Sequence, residues 1–360
     1  MGRHGSNKPN VERYLKGRNR EMERRANLQE KRERRKLAAA ASAENPAVEE
    51  TQAGLVLTRA RTGLLVQSDR DESHHWCRPS QKGRGGMPVP GDRVIFEPAT
   101  ATSDGRIIDL YERTSLLSRW SFGRIKEIAA NLEQMVILAT IDEPPVSPRL
   151  VDRLLVGASC GGFEALIVVN KIDLAGRDKA DEWAQPWRQA GYDVLLVSAE
   201  TEEGIGELYG RLRNRSSLLT GSSGVGKSTV LNRLIEDLDL DTSAISEASG
   251  RGVHTTTFTR LFPVPGGGVV ADSPGIREFF PVLDSPEDLQ NHFPEFREPA
   301  QHCAFADCLH LAKSEGCEIR RKMEAGELHR ERYESYLMLY ESLCAGPQRG
   351  RGSQLAEPPA

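Results

Sequence analysis

The chain has 360 residues, of which 38% are hydrophobic, and its net charge is −4. This length allows two or three domains. No run of about 18 apolar residues occurs, so no membrane span is predicted.

The first 36 residues form a basic arm. They contain thirteen Lys and Arg and five Glu, a net charge of +8 that leaves −12 on the remainder. Such an arm is typical of nucleic-acid binding or of a solvated tail, and this one lacks the apolar core of a signal peptide. Residues 37–52 are rich in Ala and Glu and are interpreted as a linker. We therefore expect residues 1–52 to be disordered and the protein to be cytoplasmic.

Residues 53–115 predict a small all-β barrel. Short apolar runs at 55–57, 64–66, 94–96 and 107–110 are separated by glycine and proline. The length fits a five-stranded oligonucleotide-binding (OB) barrel, with the basic loop 81–86 beside its binding face. A barrel with a solvated loop and no ligand is the alternative.

An apolar run followed by N-K-x-D begins a nucleotide site at residues 167–174. In this motif the amide of Asn170 meets the guanine edge, and the carboxylate of Asp173 accepts hydrogen bonds from guanine N–H groups. Adenine presents a different edge, so the carboxylate selects GTP. About 25 residues further on, a second apolar run at 195–199 ends in Ser198 and Ala199, the usual form of the second base-contacting loop.

Residues 221–229 (GSSGVGKST) match the phosphate-binding loop G-x-x-x-x-G-K-[ST] at every fixed position. Its glycines let backbone N–H groups point at phosphate oxygens. Lys227 supplies positive charge for the β- and γ-phosphates, and Ser228 offers its hydroxyl to Mg²⁺. The apolar residues at 230, 231 and 234 predict a helix whose N-terminus faces the phosphates.

Two segments that would respond to the γ-phosphate follow this loop. Residues 269–272 predict a strand leading into D-x-x-G, in which Asp272 would hold Mg²⁺ through water and the Gly275 N–H would contact the phosphate. Residues 250–257 contain three consecutive threonines, one of which can ligate Mg²⁺. The sequence leaves open whether that is Thr255, Thr256 or Thr257, or whether they form an ordinary loop.

The motifs stand in a permuted order. Ordinary GTPases run from the phosphate loop through the switch threonine and D-x-x-G to N-K-x-D and S-A, whereas here N-K-x-D and S-A come first. A parallel sheet tolerates such a permutation when the original termini lie close together on the surface. We therefore predict a circularly permuted α/β P-loop GTPase domain whose second switch leads directly into the C-terminal region.

Three clustered cysteines predict a metal site near the C-terminus. Cys303, Cys308, His310 and Cys317 supply three thiolates and one imidazole, a set typical of closed, structural Zn²⁺ sites. Buried thiols without a metal are the alternative, and His302 is a less favoured ligand. Apolar positions at helical spacing in 318–345 predict one or two helices beside this cluster.

The order of modules resembles that of the ribosome small-subunit-dependent GTPase A family of bacteria, over residues 53–345. Segments 112–119, 129–131, 291–296 and 332–336 are also similar to the family. The resemblance implies a multidomain fold: an OB barrel at 53–115, the permuted GTPase domain at 116–285 and a helical zinc-binding domain at 286–345, before a disordered tail at 346–360. The family usually has five residues between the ligating His and the last Cys, and this chain has six.

The resemblance also implies a function in late maturation of the 30S ribosomal subunit. The subunit and its rRNA would stimulate GTP hydrolysis, after which the protein, expected to be a monomer without membrane contacts, would leave. An RNA-binding scaffold that holds GTP as a static ligand is the alternative. The residues assigned to GTP and Mg²⁺ are Asn170, Lys171, Asp173, Ser198, Ala199, Gly221, Ser222, Ser223, Gly224, Val225, Gly226, Lys227, Ser228, Thr229, Thr255, Thr256, Asp272 and Gly275.

Catalysis is assigned to Lys227 and His254. Ras-type GTPases place a water-orienting glutamine directly after D-x-x-G, and here that position is Ile276. Because isoleucine cannot hydrogen-bond water, we expect slow basal hydrolysis. His254 is a candidate for the missing group, since the family has a histidine at the matching place. The alternatives are that rRNA or a ribosome-held ion supplies it and that His254 only contacts RNA or solvent.

Overall fold

The structure is a computed structural model that describes residues 51–60, 63–79, 86–100, 103–121, 123–235, 259–273 and 278–346. Several predicted features lie outside these residues: the arm and the linker to residue 50, residues 81–85 of the basic loop 81–86, and the tail from 347. The same holds for His254, the three threonines, Gly275 and Ile276. What the sequence indicates for them stays a prediction.

The N-terminal barrel is built from β1 (Gln52–Arg59), β2 (Leu64–Ser68), β3 (His74–Pro79), β4 (Arg93–Glu97) and β5 (Gly105–Leu110). The strands pair in the order β1-β2-β3-β5-β4, and β4 pairs back to β1. Alternate residues such as Val56, Val66 and Phe96 are fully buried inside. This closed five-stranded barrel confirms the OB fold. The polar sequence of β3 (HHWCRP) gave no apolar run, and that strand was not predicted.

A two-stranded hairpin, β6 (Leu116–Ser121) and β7 (Arg124–Ala130), follows the barrel. It was not predicted from the sequence. Its first strand is hydrogen-bonded to the chain that follows D-x-x-G. The Trp120 N–H donates to the Phe280 carbonyl at 3.0 Å, and Arg119 and Pro281 form an isolated antiparallel β-bridge. The chain leaving the second switch is therefore tied to this hairpin.

The central sheet contains β8 (Gln134–Ala139), β9 (Glu164–Val169), β10 (Asp193–Leu196), β11 (Ser216–Gly221), β12 (Arg260–Pro263) and β13 (Val269–Asp272). Strands β10-β9-β8-β11-β13 are parallel in that order, and β12 is antiparallel to β13. The phosphate-loop strand β11 lies between β8, which precedes it in the chain, and β13, which follows it. This arrangement fits the permuted motif order of the sequence.

Within the described residues, five helices accompany this sheet: α1 (Pro148–Gly161), α2 (Ile172–Ala175), α3 (Arg177–Gln189), α4 (Ile205–Leu212) and α5 (Lys227–Leu234). Every residue of β8 is buried, as expected of a parallel strand covered on both faces. None of the described helices combines the length and the apolar character needed to cross a bilayer.

The C-terminal region has three short 3₁₀ segments, Pro286–His292, Pro294–Phe296 and Pro299–His302, followed by α6 (Glu318–Glu324) and α7 (Arg330–Cys344). The prediction of one or two helices is confirmed as two. A small core containing Phe293, Phe296 and Tyr336 joins them, and Val156 of α1 packs into the same core.

A buried ion cluster ties α7 to the GTPase domain. Arg332, 2% exposed, pairs with Asp152 of α1, and its Nε donates to Glu295 at 2.8 Å. Asp152 also accepts a hydrogen bond from Trp187 Nε1 at 2.7 Å. Removal of one member would leave a buried charge unpaired, so we expect loss of any member of this cluster to destabilise the fold strongly.

Candidate active site

The phosphate loop connects the end of β11 at Gly221 to the start of α5 at Lys227. Gly226 caps the helix with φ of 91°, and a Cβ there would lie 2.5 Å from Nδ2 of Asn170. Only glycine fits this backbone conformation and this close approach. The helix follows as predicted, with its first-turn N–H groups at the loop.

The base-contacting motif is joined directly to the phosphate loop. Asn170, 2% exposed, donates from Nδ2 to the Val225 carbonyl at 2.9 Å, and its Oδ1 accepts from the Ala199 N–H at 3.1 Å. One side chain therefore holds together the phosphate loop, the N-K-x-D motif and the S-A loop, although the three are separated in the sequence.

The carboxylate of Asp173 has a fixed orientation. Ser198 donates its hydroxyl to Asp173 Oδ1 at 2.6 Å, while the Ser198 oxygen accepts from the Thr201 N–H at 3.1 Å. Ser198 is completely buried, whereas Asp173 is exposed. The exposed carboxylate of Asp173 is therefore accessible to a ligand at the surface.

Lys227 and Asp272 form the charged centre of the phosphate site. The Lys227 ammonium donates to the carbonyls of Gly221 at 2.9 Å and Ser222 at 2.7 Å. Burial lowers the pKa of Lys227, an effect that the nearby Asp272 opposes. Burial also raises the pKa of Asp272 to about 6, against the attraction of Lys227. Both charges are poorly solvated, so a cation at the carboxylate and phosphates at the ammonium would stabilise them.

The site fits a magnesium–nucleotide complex. Asp272 Oδ1 is buried and has no hydrogen-bond partner among the described residues, as expected of an oxygen that faces a hydrated metal. Ser228 lies in the first turn of α5, next to Lys227. Mg²⁺ keeps several waters and takes few protein ligands, and a hydroxyl and a carboxylate at the phosphates meet that requirement.

The other assigned residues fall in the same region. Lys171 has φ of 63° and donates from Nζ to the Glu143 carbonyl at 2.5 Å. Ser222, Ser223 and Gly224 lie in the loop, and Thr229 is in the first turn of α5. Their placement agrees with the assignment, while their roles stay predictions.

The four predicted zinc ligands meet in one place. Their ligand atoms all lie within 4.8 Å of one another, and the Sγ atoms of Cys303 and Cys317 are each 3.6 Å from Nδ1 of His310. Tetrahedral zinc with bonds of about 2.3 Å to sulfur and about 2.1 Å to nitrogen places such atoms about 3.6 Å apart. The extra residue before Cys317 has not displaced it, and His302 instead lies 3.3 Å from Glu298.

Gln290, a residue that the sequence did not indicate, supports this cluster. The Nε2 atom of His310 lies 2.8 Å from Gln290 Oε1. An amide oxygen only accepts, so Nε2 carries the proton and Nδ1 presents its lone pair to the thiols. Burial lowers the pKa of His310, which favours the neutral, metal-binding imidazole. Gln290 lies thirteen residues before Cys303, the first cysteine of the cluster, and no motif marks it.

We expect metal analysis of the purified protein to find about one zinc per chain. Cys317→Ser should lose it, because the site would keep three of its four ligands. Gln290→Ala should weaken zinc affinity about 10- to 100-fold by releasing the imidazole. Cys344→Ser is the matched control, since Cys344 is exposed and lies outside the cluster. Full zinc content in Cys317→Ser would contradict the assignment.

Comparison with known proteins identifies the family. The sequence model described as RsgA GTPase matches residues 110–280. A relative from Chlorobaculum parvum, named small ribosomal subunit biogenesis GTPase RsgA, is 40% identical over 309 residues that cover 82% of this chain and 99% of the relative. This chain belongs to the RsgA GTPase family. A relative from Vibrio vulnificus, named small ribosomal subunit biogenesis GTPase RsgA 1, is 37% identical and is covered over 85% of its length.

Solved structures agree with this membership. The crystal structure of YjeQ from Thermotoga maritima has a TM-score of 0.64 and 28% identity, covering 83% of this chain and all of that one. The structure of YloQ, described as a circularly permuted GTPase, matches with a TM-score of 0.61 over 84% of this chain and 99% of its own. The two sequences are 24% identical, so this match shows similarity of fold alone. The predicted family, fold class and GTP hydrolase activity are confirmed.

Proposed function

We propose that this GTPase acts on the small ribosomal subunit during its late maturation, hydrolyses GTP when the subunit stimulates it, and then dissociates. The observation that carries this proposal is the match over 99% of a relative named for small-subunit biogenesis. That match extends well beyond the nucleotide motifs. We propose further that the protein works as a cytoplasmic monomer.

The assigned residues have defined parts in this proposal. Asp173 and Asn170 select guanine, Lys227 binds the β- and γ-phosphates, and Ser228 and Asp272 hold Mg²⁺ directly and through water. Zinc is held by the cluster around His310 and keeps the C-terminal region folded. The threonines at 255 and 256 and Gly275 would complete the metal and γ-phosphate contacts.

A group of cations near the hairpin supports an RNA partner. Partial burial lowers the pKa of Lys126, and the positive charges of Arg119, Arg59 and Arg124 lower it further. These four side chains come from β1 and both hairpin strands. Their mutual repulsion would be relieved by phosphates, so this surface is suited to an RNA backbone.

Adding subunits to a steady-state GTPase assay tests the proposal. We expect 30S subunits to raise turnover well above the basal rate, while 50S subunits do not, and stimulation to fall with added salt because phosphate contacts release counterions. No response to 30S subunits, or an equal response to 50S subunits, would favour a different assembly role, including that of a static scaffold.

The same assay tests His254. We propose that subunit binding brings its imidazole to the γ-phosphate, where it orients or deprotonates water. His254→Ala should then lose most of the stimulated rate and keep nearly unchanged GTP affinity. Full stimulated turnover in the variant would mean that rRNA or an ion bound by the ribosome completes the site.

A further inference from the structure

The outer face of strand β3 carries a large exposed aromatic side chain. His74, Trp76 and Arg78 alternate along the strand and are all exposed, whereas Cys77 between them points into the barrel core. Trp76 is 45% exposed. Alternation in a strand puts the three side chains on one side of the sheet, so the indole stands on the barrel exterior between two side chains that can carry positive charge.

The strands beside β3 extend this face. Leu65 of β2 is directly opposite Trp76, and Arg106 of β5 is opposite Arg78. We call His74, Trp76, Arg78, Leu65 and Arg106 the Trp76 face. This face lies on strands β2, β3 and β5. The face of the second and third strands is the part of an OB fold that binds oligonucleotides in other proteins.

The arginines of the Trp76 face are held in position and still reach solvent. Arg78 pairs with Asp104 through Nε at 2.8 Å, and its side chain is 72% exposed. Arg106 pairs with Glu97, and its side chain is 60% exposed. A guanidinium has five N–H donors, so the Nε bond of Arg78 to Asp104 leaves donors for a phosphate, and Arg106 adds an exposed positive charge beside it. The face thus combines an aromatic surface with phosphate-binding groups.

We propose that Trp76 stacks on an unpaired base of single-stranded RNA, with Arg78 and Arg106 contacting the adjacent phosphates. This inference rests on the proposed function, which supplies an RNA partner, and it adds the kind of RNA and the residue that contacts it. Every base has a π-face, so stacking tolerates sequence. A paired base inside a duplex has both faces covered by its neighbours, so the Trp76 face selects single strands.

The test measures binding of the full-length protein to a short fluorescein-labelled oligouridylate by anisotropy, beside an RNA duplex of similar length. Trp76→Ala should weaken oligouridylate binding about 5- to 150-fold. Trp76→Phe should retain most of the affinity, and Trp76→Leu, which keeps apolar area without a π-face, should lose it. Duplex binding should change less than about twofold in all three variants, because their phosphate contacts are intact.

Tyr111→Ala is the matched control, because Tyr111 is 48% exposed and lies just beyond the end of β5. It should bind oligouridylate as the wild type does. The stack is refuted if the wild type does not bind oligouridylate, if Trp76→Ala and Trp76→Leu bind it normally, or if Tyr111→Ala loses as much. Stimulation by 30S subunits is measured separately on the wild type. If 30S subunits do not stimulate the wild type, the proposed function is refuted. A loss of oligouridylate affinity in Trp76→Ala would still support the stack.

Discussion

Lys227→Ala is expected to lower the rate of GTP hydrolysis about 100- to 1,000-fold, the effect of removing one preorganised charged donor from a developing transition-state charge. The ammonium is held by the carbonyls of Gly221 and Ser222, and the half-buried Asp272 is close enough to influence its pKa. An ammonium has three N–H donors, so a third remains for the phosphates. Single-turnover hydrolysis of Mg²⁺–GTP, with and without 30S subunits, measures the loss.

Lys179→Ala is the matched control. Lys179 pairs with Asp142 at the surface, where its side chain is 54% exposed, and such pairs contribute little. Its hydrolysis rate should equal that of the wild type. Lys227→Ala protein that still hydrolyses GTP at the normal rate, with and without the subunit, would remove the phosphate-loop assignment.

The parts of the fold that the sequence predicted are those with local signals. Glycines and a lysine at fixed spacing marked the phosphate loop, and continuous apolar runs marked β9, β10 and β13, since parallel strands are buried on both faces. Thiol and imidazole spacing marked the metal cluster, which the structure brings together. The domain limits and the roles of the site residues stay predictions.

The elements that the sequence missed depend on contacts between distant residues. Strand β3 carries His74, Trp76 and Arg78 on its outer face and has only Cys77 fully buried inside, so its pattern did not stand out. Gln290 supports His310 across twenty residues, and Arg332 meets Asp152 across 180. No periodicity or motif records such pairs, because each forms only after the chain has folded.

The permuted order has a physical consequence in the chain that leaves the second switch. Phe279 is fully buried, and a Cβ at Gly157 of α1 would lie 2.3 Å from its ring. Helix α1 therefore accepts Phe279 closely on one side and carries Asp152, the partner of Arg332 in α7, on another. A displacement of Phe279 would act on α1, and through Asp152 on Arg332 of α7, which gives the predicted link between nucleotide state and the C-terminal region a defined contact.

Asp173→Asn is expected to weaken GTP binding about 100- to 10,000-fold, because guanine would lose two hydrogen bonds to a charged group, each contributing about 1.5–3 kcal/mol. The structure indicates how the asparagine would be oriented. Ser198 donates to Oδ1 of Asp173 and accepts from the Thr201 N–H, so we expect its hydroxyl to remain the donor in the variant. The amide oxygen would keep the serine bond, and Nδ2 would face the base.

A donor at that position repels the N–H groups of guanine and matches the carbonyl that xanthine carries in place of the exocyclic amine. The variant should therefore bind and hydrolyse XTP in preference to GTP, as measured by competition for a fluorescent guanine nucleotide and by phosphate release.

Ser198→Ala serves as a second variant. It frees the carboxylate of Asp173 without changing its charge, so the affinity for GTP should fall while the affinity for XTP does not rise. Asp178→Asn, an exposed carboxylate in the first turn of α3, controls for charge alone and should keep GTP preference. Asp173→Asn protein that still prefers GTP would show that another group reads the base.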